Sequence, residues 1–112
     1  MARNMSFALT TQQFMHRTKT VTRRLGWCNL KTGTVLCGVE KAMGLRKGEK
    51  IKRLGLIRIV SVRAEPLNAI TLEDCLLEGF PDFVPQDFIW MFQYHNKCEA
   101  DRIVNRIEFI YL

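Results

Sequence analysis

The chain has 112 residues, of which 47% are hydrophobic and 25% charged, with four Cys and a formal net charge of +6. That is the composition of a folded chain and the length of a single domain (1–112), large enough to form a core without a metal or disulfide staple. No apolar run approaches the roughly 18 residues of a membrane helix, and the start, Met1-Ala2-Arg3-Asn4-Met5, leads into mixed sequence without an apolar signal core, so a cytoplasmic protein with no membrane partner is expected.

In chain order, Ser6-Phe7-Ala8-Leu9 reads as a short strand. Thr10 stands where a helix cap would, with Gln13 at capping-box spacing, and predicts a short helix over about 11–16. The Thr/Val alternation of Arg17 to Arg24 suits an extended segment. Gly33 supplies a turn before a strand at Thr34 to Glu40, and the Gly-rich, basic stretch Met43 to Lys50 reads as a loop. Leu54 to Arg63, rich in Ile and Val, is the expected central strand, ended by Pro66.

Thr71 then caps a helix with acids in its first turn, which suits the helix dipole. Leu72, Cys75 and Leu76 form its expected apolar face, with Gly79 as C-terminal cap and Pro81 as stop. A further helix is expected from about Pro85 to His95 with Phe88, Ile89 and Phe92 inward. The closing strand, Ile103 to Leu112, places Ile107, Phe109 and Tyr111 on one face. Strands around two or three short helices define an α+β domain with a small curved sheet, expected to close as a β-barrel.

The charge is unevenly spread. Residues 1–63 hold 14 Lys/Arg against Glu40 and Glu49, a net of +12, whereas residues 64–112 hold three Lys/Arg against nine acids, a net of −6. Such asymmetry favours an anionic partner for the first half, nucleic acid before membrane. The four Cys (28, 37, 75, 98) and two His (16, 95) show no CxxC pair and no zinc spacing. They read as reduced thiols, with no metal or other cofactor expected.

The strongest local signal is Lys19-Thr20-Val21-Thr22-Arg23-Arg24. Together with the order helix, basic motif, strand, long β segment, acidic helix and closing strand, it resembles the ASCH domain (activating signal cointegrator 1 homology), a PUA-like family. Its signature is Gly-x-Lys followed five residues later by Arg. Lys19 and Arg24 fit, while Arg17 stands at the Gly position, so the first turn is expected to differ. The resemblance runs from Ser6 to Tyr111. It is sharpest toward small bacterial and phage members, among them a branch of amidohydrolases that deacetylate N4-acetylcytidine. In that branch the proposed catalytic residues are a Lys, a Thr three residues later and a Glu in the helix after the central β segment. Lys19, Thr22 and Glu78 fill those positions.

The resemblance implies hydrolysis of an N4-acylcytidine-type nucleoside without a metal. Thr22 would supply the hydroxyl, and Lys19 would take its proton if its pKa falls well below about 10.4. Burial or neighbouring cations such as Arg23 and Arg24 would push it that way. Glu78, at the negative end of its helix, would act as proton donor, and Arg24 would hold a phosphate or a carbonyl oxygen. Side chains 19 and 22 of a straight strand face opposite sides, so a bend between them is required. Arg17, Arg23, Arg24 and Trp27 are candidate substrate or nucleic-acid contacts, with Trp27 as a stacking platform. The plainer readings are solvated cations, a strand threonine, a surface acid and a core tryptophan. Two other functions use the same cleft: a non-catalytic module that grips RNA or single-stranded nucleic acid, and a ribonuclease.

Overall fold

The structure, a computed structural model, describes residues 2–112. Its elements are β1 (Arg3–Ser6), a 3-10 turn (Ala8–Thr10) running into α1 (Thr11–Met15), β2 (Val21–Arg24), β3 (Val35–Val39), β4 (Arg53–Pro66), a second 3-10 turn (Leu67–Ala69), α2 (Leu72–Leu77), α3 (Pro85–Asn96) and β5 (Ile103–Tyr111). The strands form one sheet in the order β1-β3-β4-β5-β2, parallel between β1 and β3 and antiparallel elsewhere. The α+β class holds.

The expected barrel does not. The outer strands β1 and β2 are four residues each and do not pair with one another. A side chain crosses between them instead: Arg24 Nη2 donates to the Ser6 carbonyl at 2.5 Å, with its guanidinium 5.0 Å from the centre of the Phe7 ring. The seam is filled by an arginine and an aromatic ring rather than by a ladder.

Two cores lie on opposite faces of the long strands. Met5, Phe7, Phe14, Leu36, Ile57 and Phe109 belong to the first, in which α1 packs on the sheet. Gly38 is what lets α1 come so close, since a Cβ there would sit 2.4 Å from the Phe14 ring. Leu67, Cys75, Phe88, Phe92 and Val104 belong to the second, beneath α2 and α3. β5 serves both by alternation: Ile107 and Phe109 face the first core and Val104 the second. Phe88, Ile89 and Phe92 are buried as expected, while Trp90 and Tyr94 on the outer side of α3 are exposed. The four cysteines are free thiols.

Several local expectations are corrected. Phe7 to Leu9 is not strand, because the chain turns at Ala8. Thr10 makes no cap; Thr11 Oγ1 donates to the Phe7 carbonyl at 2.8 Å instead. On α2, Thr71 does cap, accepting from the Asp74 N–H at 3.1 Å. Gly79 ends that helix with φ 98°, a conformation glycine adopts at least cost. Its N–H donates to the Leu76 carbonyl and that of Phe80 to the Cys75 carbonyl, the two bonds of a Schellman motif. Yet Leu72 and Leu76 are exposed, and the buried face is Asp74, Cys75 and Glu78. The helix has six residues and turns Asp74 inward, where Arg23 and Arg106 pair with it, while Glu73 stays exposed.

Candidate functional site

The strand β2 sets the site. Its residues alternate, so Thr22 and Arg24 share one side, where Arg24 Nε donates to Thr22 Oγ1 at 3.2 Å. Arg23 projects to the other side, beneath α2. Its partner across the sheet is Arg106, a like-charged pair that would repel if left alone. Asp74 sits between them: Oδ2 accepts from Arg23 Nη2 and from Arg106 Nε at 2.7 Å. The cap at Thr71 fixes the helix start that carries Asp74. Arg23 also donates to Glu65 and, through Nη1, to Glu78 Oε2 at 3.0 Å.

Lys19 lies before the strand, just after a turn at residues 16–17. Arg17 forms that turn in the left-handed region (φ 59°), a backbone that glycine adopts at least cost. The Thr20 N–H donates to the Leu77 carbonyl at 2.9 Å, and the Tyr111 hydroxyl donates to the Lys19 carbonyl. Thus anchored, Lys19 Nζ reaches Glu78 at the end of α2, 2.6 Å from Oε1 and 2.9 Å from its carbonyl oxygen. Gly79 lets α1 lie close beside this turn: a Cβ there would meet Gln13 Cγ at 2.7 Å, while Lys19 Cβ, at 3.5 Å, would be in ordinary contact. Lys19 and Glu78 are each 2% exposed.

Lys19, Thr22 and Glu78 all line one cleft of about 650 Å³ between the β1–β2 seam and α3. Arg23, Arg24 and Trp27 line it too, but Arg17 does not; its guanidinium lies over the Tyr111 ring at 5.5 Å. Trp27 carries Arg3 against its ring at 4.5 Å. The opposite wall is aromatic and apolar, with Phe80, Phe88 and Met91, and has His95 and Asn96 as its polar lining. Arg3, Asp74, Arg106 and the α3 wall were not singled out from the sequence. Only the acidic first turn of α2 hinted at Asp74, since pairing with residues tens of positions away leaves no local trace.

Burial dominates the electrostatics. It holds the Lys19 amine below its ordinary value, against the opposing pull of Glu78 and with help from Arg24 and Arg23. Burial likewise brings Arg24 down to about 10, with Glu78 opposing. At Asp74 burial works against the charged form, but hydrogen bonds from Arg106 and Arg23 outweigh it and hold the carboxyl at about 2. Burial raises the Tyr111 hydroxyl to about 12, so it is a stable donor to the Lys19 carbonyl. Among the described residues no group of three or more His, Cys, Asp or Glu is placed to hold a metal ion, and no helix is long and apolar enough to cross a membrane.

No family model and no curated protein matches the sequence. Solved structures do match its fold. An ASCH domain from Lactobacillus crispatus JV V101 aligns at a TM-score of 0.67 with 15% identity, covering 97% of this chain and 78% of that one. A protein from Enterococcus faecalis V583 assigned to DUF984 aligns at 0.67 with 16% identity, covering 100% of this chain and 77% of that one. The small mixed sheet of this chain, with its short helices, thus has an ASCH-like fold. This chain has that fold, with a Lys-Thr-Glu set lining its cleft.

Proposed function

We propose that the cleft is the active site of an amidohydrolase acting on N4-acylated cytidine-type nucleosides. The observation that carries this reading is the buried 2.6 Å contact of Lys19 Nζ with Glu78 Oε1 in a cleft that Thr22 also lines. The resemblance to the deacetylating branch supplies the reaction class, and the fold is compatible with it.

Lys19 acts in its neutral form, which burial favours. It accepts the Thr22 hydroxyl proton as Thr22 Oγ1 attacks the acyl carbonyl carbon. Arg24 keeps its Nε–H on Thr22 Oγ1 and one Nη2–H on the Ser6 carbonyl, and its remaining N–H groups stabilise the negative carbonyl oxygen of the tetrahedral intermediate. The C–N bond breaks as the Lys19–Glu78 pair returns the proton to the leaving N4 nitrogen. Water, deprotonated by the same pair, then attacks the acyl-Thr22 ester, and the pair returns that proton to Thr22 Oγ1 as its bond to the acyl carbon breaks, releasing the carboxylic acid. Arg23 braces Glu78 from behind through Oε2, leaving Oε1 to Lys19.

A non-catalytic module gripping a nucleic-acid backbone with Arg23 and Arg24 is less well supported. The Arg23 side chain is fully buried and engaged by three carboxylates, and Arg24 is engaged by Ser6 and Thr22. Incubation of the purified protein with N4-acetylcytidine tests the hydrolase reading: cytidine should be released by the wild type and not by Lys19→Ala. Absence of release by the folded wild type across several N4-acyl nucleosides overturns it.

A further inference from the structure

We propose that the cleft also carries a phosphate subsite formed by Arg3 against the Trp27 ring, so that it prefers an N4-acylated cytidine nucleotide over the bare nucleoside. The base and acyl group in this inference rest on the hydrolase reading; the phosphate rests on separate observations.

The first observation is a charge imbalance inside the cleft. Its lining holds four cations, Arg3, Lys19, Arg23 and Arg24, against one acid, Glu78. Lys19 and Arg23 are matched by Glu78, and Arg23 also by Glu65 and Asp74. Arg3 and Arg24 form no ion pair among the described residues. Arg24 is tied to Ser6 and Thr22 beside the reacting centre. Arg3 is the cation left over, exposed on the edge strand β1.

The second observation is how Arg3 is held. Its guanidinium lies 4.5 Å from the centre of the Trp27 ring, a cation–π contact that restrains a long side chain while leaving its edge N–H groups free. A planar fork held in this way suits the oxygens of a phosphate. Trp27 itself is partly buried against the first core and has φ 68°. That left-handed backbone is uncommon for an aromatic residue, and such outliers cluster at ligand clamps. Exposed lysines elsewhere do not offer the same arrangement: Lys41 and Lys52 pair with Glu49 and Glu40 away from the cleft.

Two measurements test the subsite. Calorimetry compares cytidine with cytidine 5′-monophosphate, and kinetics compare N4-acetylcytidine, its 5′-monophosphate and a short RNA containing one N4-acetylcytidine. The monophosphate should bind about tenfold or more tightly than cytidine, the scale of a hydrogen bond to a charged group. That advantage should shrink with added salt, disappear in Arg3→Ala, return in part in Arg3→Lys, and persist in Arg58→Ala, which removes one charge outside the cleft. A kcat/KM gain for the monophosphate alone identifies a free nucleotide, and a gain for the RNA identifies a nucleotide within a chain. Equal affinity for cytidine and its monophosphate, or an advantage that survives Arg3→Ala, overturns the proposal. Phosphate-dependent binding without turnover sinks the hydrolase and leaves the subsite standing; turnover with phosphate-independent binding does the reverse.

Discussion

The β2–α2 junction and the basic loop of residues 41–52 are built from the same charged residue types and have opposite characters. In the loop, Lys41–Glu49 and Lys52–Glu40 contacts are 3.5 and 3.4 Å long and lie among exposed side chains. At the junction, Lys19, Arg23, Asp74, Glu78 and Arg106 are all buried and linked by hydrogen bonds. Exposed pairs are screened by water and add little. Buried charges must find partners, and removing one strands the others. Density of charge along the sequence therefore does not separate the two, and burial makes the junction the chemically distinctive region.

The largest effect should come from Glu78→Gln. It leaves Lys19 and Arg23 facing a neutral amide, and should cost about 3–5 kcal/mol of stability, read from denaturant unfolding, besides abolishing deacylation. A loss below about 1 kcal/mol would mean the junction behaves like the surface loop.

Asp74→Asn should cost less, about 2 kcal/mol, the scale of its displaced ionisation, because Arg23 keeps Glu65 and Glu78 while Arg106 keeps Glu108. Its sign with pH is fixed. The native carboxyl at about 2 lies below its ordinary 3.8, so its stabilisation is fully present above the ordinary value and lost as pH falls through about 2. The gap in melting temperature between wild type and Asp74→Asn should accordingly close on acidification; a gap constant from neutral pH to about pH 2 would contradict the assignment.

Gly79→Ala should destabilise by about 1–2 kcal/mol, since φ 98° and the 2.7 Å approach to Gln13 both resist a Cβ. Thermal melts with unchanged stability would show that the close approach is not needed. Smallest of all, Glu40→Gln in the loop region should leave the melting temperature unmoved.

Much of this frame is legible in the sequence. Thr71 and Gly79 announce both ends of α2, the Ile/Val run announces β4, and the Lys19–Arg24 motif marks the cleft. Lys19, Thr22 and Glu78 follow from the resemblance. The rest depends on how distant strands and helices meet. Arg23 looks like one more base in a basic run until β2 pairs with β5 and sets Arg106 beside it, with Asp74 lowered between them. Leu72 and Leu76 satisfy helical periodicity, but a six-residue helix drawn inward at Asp74 and Cys75 turns them out. Barrel closure likewise turns on strand order and on the four-residue lengths of β1 and β2, which hydrophobic alternation does not encode.

The most direct test of the account is the pH dependence of N4-acetylcytidine deacylation by the wild type beside Lys19→Arg, which preserves the positive charge but offers no accessible neutral base. The account predicts cytidine release that rises with pH as Lys19 loses its proton, with the midpoint below the ordinary lysine value, and no release by folded Lys19→Arg. Equal activity in the two proteins, or no release by the folded wild type at any pH, would contradict it.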